Sequence, residues 1–387
     1  MRFINFNSLA NRESYSLKRL IRRSIVTSCR AVVVPRFGGP EVLEIRPHVK
    51  VPDLKPTDVL VRTRAVSINP LDTRMRAGYG RSIFEAHLPL ILGRDISGEV
   101  AAVGVAVKTL AVGQEVFGAL HPTAVRGTYM DYAILPQDEL TAKPTSVGHV
   151  EASAIPFAAL TAWRALKSTA RITEGYDYFV IILSFNFFYL QLHHKIQRQR
   201  ILVIGGGGAV GLSAIQISVA TGCSVATTCG PKSIDRVLEA GAAQAVDYTS
   251  QNLDLALKGE FDAVLDTIGA HETERIGIKF LKRGGHYMTL QGESAAMSDR
   301  YGLLLGLPLS VAVLVKKQIE YRYSNGIGYW WTYMRDDKEG LEEICRLCNA
   351  GKFKIPVEKT FPVTEVKEAH EAKDKKKIFG KVVLEFD

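Results

Sequence analysis

The chain has 387 residues, too many for one ordinary hydrophobic core, so two domains are expected. Hydrophobic residues at 47% and charged residues at 23% are globular proportions and exclude a low-complexity chain. The formal charge of +9 does not indicate nucleic acid: +6 of it lies in residues 1–30, leaving +3 for all the rest.

That first segment sets Arg2, Arg12, Lys18, Arg19, Arg22, Arg23 and Arg30 against one acid, Glu13. It carries several serines, and Leu17, Leu20 and Ile21 share a helical face. It lacks the continuous apolar core of a secretory signal, so residues 1–29 read as a transit peptide, mitochondrial or alternatively plastid. A basic tail without structure is the competing reading.

From residue 30 to about 157 short β segments are expected, broken by Gly and Pro, at 31–35, 58–65, 96–103 and 127–135. They suggest a small barrel or sandwich. From residue 201 strands and helices alternate. Strands are expected at 201–204, 224–228, 245–248, 262–266 and 286–290, with helices at 210–221 and 234–240. This order implies an α/β fold with a doubly wound parallel sheet. Residues 352–387 return to β texture, with a strand at 381–386, and are expected to complete the first domain. The domain expectation is therefore 30–157 plus 352–387 for the first and 158–351 for the second.

Two stretches stand apart. Residues 303–315 are very apolar but contain Gly306 and Pro308 and are too few to cross a bilayer. A buried helix or a subunit contact is expected there, in a monomer or homodimer without a transmembrane span, with peripheral membrane contact left open. Residues 176–198 contain no Gly, Ala, Pro or Thr and fall where a tight turn is expected before a first strand. They read as a non-native insertion, the translation of a retained AT-rich intron.

The five cysteines, Cys29, Cys223, Cys229, Cys345 and Cys348, form no disulfide framework. Cys345 and Cys348 make a lone C-x-x-C without the second pair that zinc needs, and read as neighbours on a buried helix face.

The strongest chemical signal is Ile201-Leu-Val-Ile-Gly-Gly-Gly-Gly-Ala-Val-Gly211. A strand leads into Gly205, Gly207 and Gly208, then Ala209, Val210 and Gly211 open a helix. Glycine lets the backbone approach a pyrophosphate, and a helix N-terminus offers free N–H groups and a favourable dipole. The next strand ends in Thr227-Thr228-Cys229-Gly230-Pro231-Lys232, without the acid that holds the ribose hydroxyls of NAD. NADPH is the cofactor expected, with Lys232 facing the 2′-phosphate. The alternative is that Lys232 is a solvated turn residue.

Several stretches together resemble the medium-chain dehydrogenase/reductase family, in its quinone oxidoreductase branch, and within it the mitochondrial reticulon-interacting oxidoreductases. These are Ser67-Ile-Asn-Pro-Leu-Asp72, Met75-Arg-Ala-Gly-Tyr-Gly80, Leu92-Gly-Arg-Asp-Ile-Ser-Gly98, Ala159-Leu-Thr-Ala-Trp163, the glycine loop, Ala245-Val-Asp-Tyr248 and Gly380-Lys-Val-Val-Leu384. The resemblance implies a GroES-like β-barrel domain built from both chain ends plus a Rossmann domain. It implies cofactor contacts at Thr161, Gly208, Ala209, Val210, Gly230, Lys232, Tyr248, Thr267 and Leu290, with Lys381 reaching the cofactor from the last strand. Similar chains carry Ser-Gly-Gly-Val-Gly where this one has Gly207-Gly-Ala-Val-Gly211, so backbone contacts must hold the phosphate.

Zinc-dependent members carry Cys at Asn69 and Gly-His-Glu at Gly93-Arg94-Asp95, so no zinc is expected. Without a Lewis acid the expected acceptor is a quinone or an α,β-unsaturated carbonyl. Asn69 could donate to a developing oxyanion, and Tyr79 could donate a proton or form a stacking wall. Asp72 is a catalytic candidate, although holding its own loop is the favoured reading. Arg94 and Asp95 are expected to pair with each other. The competing function is an NADPH-binding interaction protein with little catalysis.

Overall fold

The computed structural model describes residues 26–173, 176–182, 191–375 and 380–387, with backbone alone over 176–182 and 191–197. The expected transit peptide lies outside the described residues except for its last four. The first strand, Ser28–Val34, already includes Ser28 and Cys29, and Val51 N–H donates to Thr27 O. Residues 27–29 are therefore part of the first sheet.

The chain divides into two compact units. The first comprises the residues up to Phe157, Asp336–Asn349 and Pro356–Asp387; the second comprises Ala158–Arg335 and Ala350–Ile355. In the first unit a seven-stranded sheet is organised around the long strand Asp58–Ile68, which pairs with Asp95–Val103, Tyr132–Pro136 and the C-terminal Lys381–Glu385. A three-stranded sheet containing Ser28–Val34 joins it through Val32 N–H donating to Tyr129 O. Alternating Val, Ile and Leu of these strands fill the core between them. The helix Lys338–Asn349 packs here as well, so the return to this unit begins before residue 352. Cys348 is buried on that helix, Cys345 is half-buried, and all five cysteines are free thiols.

The second unit holds a six-stranded, all-parallel sheet. Its strands are Arg200–Ile204, Ser224–Cys229, Gln244–Asp247, Phe261–Asp266, Leu281–Thr289 and Gly328–Trp331. In space they run third, second, first, fourth, fifth, sixth. The order reverses beside Arg200–Ile204, and ligands bind such sheets at the carboxyl ends of the strands where it reverses. Residues 176–182 and 191–197 pair with each other in a separate two-stranded ribbon.

The apolar stretch at 303–315 is not a buried helix. It opens the 22-residue helix Leu303–Ser324, whose buried residues are Gly306 and Ser310, while Leu304 is 91% and Leu305 64% exposed. The reason is close helix approach: a Cβ on Gly306 would lie 2.4 Å from the Ser298 Cα in the preceding helix, Ser294–Tyr301. Small residues face inward and the leucines are left outside. Among the described residues no helix is long and apolar enough to cross a membrane.

Candidate active site

The strand Arg200–Ile204 is buried and paired on both sides, so the chain leaves it in a fixed direction. It turns at Gly205, whose φ of +86° favours glycine. Gly205 N–H donates to Thr228 O at 3.1 Å, and Gly206 N–H to the same oxygen at 2.9 Å. The loop is thereby tied to the end of the second strand. Packing enforces the other glycines: a Cβ would come within 2.0 Å of Thr227 Oγ1 at Gly206 and within 2.3 Å of Gly205 O at Gly211. Gly208 differs, because a Cβ there would have its nearest neighbour at 3.7 Å. It has room for a methyl group and is the N-cap of the helix Ala209–Ala220, which has no side-chain cap and no acid in its first turn. The first N–H groups of that helix have no acceptor within it, so Ala209, Val210 and Gly211 begin a natural anion cradle.

The strand Ser224–Cys229 ends beside this loop. Gly230 caps the short turn Pro231–Ser233. A Cβ on Gly207 would lie 2.6 Å from Ser233 Oγ, and one on Gly230 would lie 3.5 Å from the Tyr248 hydroxyl. Gly207, Gly230, Tyr248 and the exposed Lys232 therefore share one rim with Ser233, a residue that sequence reasoning missed. Asp247 is the acid paired in register with Cys229. It accepts from Thr249 N–H at 2.9 Å, Thr249 Oγ1 and Ser250 Oγ, and these bonds hold its carboxyl below the usual range. Thr267 and Leu290 follow the fourth and fifth strands. Thr267 Oγ1 donates to Ile204 O at 2.9 Å, and Leu290 N–H to Asp266 O at 3.2 Å. Thr161 is buried in the helix Pro156–Trp163.

A second constellation lies in the first unit. Lys381 opens the C-terminal strand, one step beyond the pairing of Val382 with Ile68. Its ammonium is buried and donates to Ser67 Oγ at 2.7 Å, Asn69 Oδ1 at 2.7 Å and Asp95 Oδ2 at 2.9 Å. Asp95 Oδ2 also accepts from Ser67 Oγ at 2.5 Å and Asn69 Nδ2 at 2.8 Å, and Asp95 Oδ1 from Phe157 N–H at 2.7 Å. The Asn69 amide is oriented by its partners, since an ammonium only donates and a carboxylate only accepts. One Nδ2 hydrogen is taken by Asp95, which leaves one for a ligand.

The neighbours part company with expectation in one place. Arg94 and Asp95 do not pair. Successive residues of an extended chain point to opposite sides. Asp95 turns to Lys381, while Arg94 donates to Gly93 O at 2.9 Å, Ala124 O at 2.9 Å and Pro122 O at 3.2 Å. Asp72 accepts from Asn69 N–H at 2.8 Å and Gly93 N–H at 3.0 Å, so its carboxylate links the two loops. Burial pushes its pKa up to about 6, with the Arg94 guanidinium pulling the other way. Tyr79 is half-buried in the turn after the helix Pro70–Arg76, its N–H donating to Arg74 O at 2.9 Å.

Lys381 is thus brought together with Asn69. Ser67 and Asp95 were the missed members; the available signal was a charged residue inside an otherwise apolar strand sequence. Among the described residues no group of three His, Cys, Asp or Glu side chains is arranged to hold a metal ion.

Comparison with known proteins adds to this geometry. Residues 55–145 match the family model described as alcohol dehydrogenase GroES-like domain, and residues 240–384 the model described as zinc-binding dehydrogenase. The chain is 31% identical to the mitochondrial NAD(P)H oxidoreductase RTN4IP1 of Bos taurus, covering 95% of this chain and 93% of that protein. It is 30% identical to the 2-methylene-furan-3-one reductase of Solanum lycopersicum, over 70% of this chain and 64% of that one. The fold is that of the quinone oxidoreductase from Coxiella burnetii, with a TM-score of 0.73, 24% identity, and coverage of 92% of this chain and 99% of the other.

Proposed function

The chain belongs to the medium-chain dehydrogenase/reductase family of oxidoreductases, and on that footing we propose that it is a mitochondrial NADPH-dependent reductase of quinones or α,β-unsaturated carbonyls that works without zinc. The observation that carries this reading is the Lys381 ammonium, held by Ser67, Asn69 and Asp95. A fixed cation already neutralises the Asp95 carboxylate that a metal would need there, and Asn and Ser are weak ligands for zinc. Such a centre supports acceptors that are already electrophilic.

NADPH fits the residues present: the uncapped N-terminus of Ala209–Ala220 suits a pyrophosphate, and Lys232 with Ser233 suits a 2′-phosphate. When bound, its nicotinamide supplies the hydride. The protein's own part is to hold the acceptor oxygen. Asn69 Nδ2 offers its remaining hydrogen, and Asp95 and Lys381 lock the amide so that no reorganisation is needed as charge develops. The nearby ammonium favours that charge electrostatically. Tyr79 is the proposed proton donor.

The test is NADPH oxidation by the purified chain with a panel of quinones and enones. Asn69→Ala is expected to lower kcat by about 100-fold with NADPH affinity unchanged, and Lys232→Ala to weaken NADPH by about tenfold with NADH unaffected. Tight NADPH binding without turnover on any acceptor would instead favour an NADPH-binding interaction protein.

A further inference from the structure

We propose that the second unit carries a binding site for an organic phosphate, separate from the glycine loop, between the turn Arg164–Thr169 and the edge strand Gly328–Trp331. A cavity of about 420 Å³ opens there, and its lining includes Arg164, Ser168, Arg171, His286, Trp330 and Arg335. Among the described residues no Asp or Glu lines it. Among the described residues no carboxylate pairs with any of the three guanidinium groups. Three arginines around one hollow repel one another without an anion, and a guanidinium fork matches phosphate oxygens.

Two backbone features independently mark the same rim. The turn Arg164–Thr169 is a π-type turn, with Ala170 N–H donating to Ala165 O, five residues back, at 2.9 Å. Such widened turns concentrate at functional sites. Directly after it, Arg171 has a φ of +54°, and it is the one non-glycine residue with positive φ among the described residues. A large side chain held in that region is strained, and strain of this kind clusters where ligands are clamped.

The opposite wall is also built to donate. Trp330 Nε1–H donates to His286 Nδ1 at 3.1 Å, so the neutral imidazole carries its own proton on Nε2. Burial, then the charges of Arg171 and Arg322, hold the His286 pKa down and keep it in that form. Trp330, Trp331 and Tyr333 add flat apolar surface beside the cations. The volume exceeds what a bare phosphate fills, so the ligand class is a phosphate or diphosphate ester with a flat or apolar body.

The location separates this site from the cofactor cradle. His286 stands three residues before Thr289, the residue level with Ile204 and Asp266 where the glycine loop begins. At about 3.3 Å per residue it lies some 10 Å down the strand from that end. A soluble nucleotide and a phospholipid headgroup share the required chemistry.

Calorimetric titration of the full chain with inorganic pyrophosphate, alone and with saturating NADPH, tests the proposal. A parallel arm measures sedimentation with phosphatidic acid vesicles against phosphatidylcholine vesicles. Binding in either arm that persists with NADPH is expected, and the responding arm identifies the source. Arg164→Ala and Arg335→Ala should each weaken it about tenfold, while Lys232→Ala leaves it unchanged. Arg171→Gly separates binding from folding: glycine relieves the positive φ, so affinity should fall while the unfolding midpoint holds or rises. No binding in either arm, competition by NADPH, or indifference to all three arginines would overturn the proposal.

Discussion

Asp72 shows how burial changes the meaning of a residue. In sequence it is a carboxylate near Asn69, a plausible catalyst. In the fold its two oxygens accept from Asn69 N–H and Gly93 N–H, and it is fully buried. Its pKa is raised from 3.8 to about 6, so the folded state binds its proton more readily than the unfolded chain does. Its contribution to stability is therefore complete below pH 3.8 and is lost as pH rises through about 6. Denaturant unfolding of wild type and Asp72→Asn at several pH values should show wild type gaining on the variant as pH falls from 6 towards 4. A difference independent of pH would remove this account. Lys381 makes the complementary point. It stands 312 residues from Asn69 in sequence, and strand pairing sets the two side by side, a contact that no local pattern announces.

Helix Ala209–Ala220 and the loop before it were readable almost to the residue, because glycine density, strand apolarity and helical spacing are local properties. What each glycine does was not readable. A Cβ on Gly211 would meet the backbone at Gly205 O and Gly206 Cα, at 2.3 and 2.6 Å, whereas one on Gly208 would make only an ordinary contact with Gly205 O at 3.7 Å. Gly211→Ala is thus expected to destabilise the fold by about 1–3 kcal/mol. Gly208→Ala should leave thermal stability nearly unchanged yet weaken NADPH, since its methyl enters the space a pyrophosphate needs. Equal effects of the two on stability would contradict the packing. The helix Leu303–Ser324 gives the opposite lesson. Its leucines advertised burial, but the close contact runs through Gly306 and Ser310, and apolarity alone does not say which face approaches a neighbour.

The two units were legible as a change of texture, β segments giving way to alternating strands and helices and then returning. The segment 176–198 interrupts the second unit in sequence, and its described strands pair with each other rather than with the six-stranded sheet. Thr173 N–H donates to the Gln199 side chain at 2.9 Å across 26 residues, so the ends of the excursion are already adjacent. Deleting 176–198 is therefore expected to leave a soluble protein whose Tm moves by no more than about 4 °C; an insoluble or molten product would show that the segment is integral. Period and glycine placement are written locally, which is why the fold class and an NAD(P)H cofactor could be read from residues alone. The Lys381, Asn69, Ser67 and Asp95 centre, the release of Arg94 from Asp95, and the arginine-lined hollow could not. Each depends on strand register and side-chain direction, which bring together groups remote in the chain, and no local pattern encodes those.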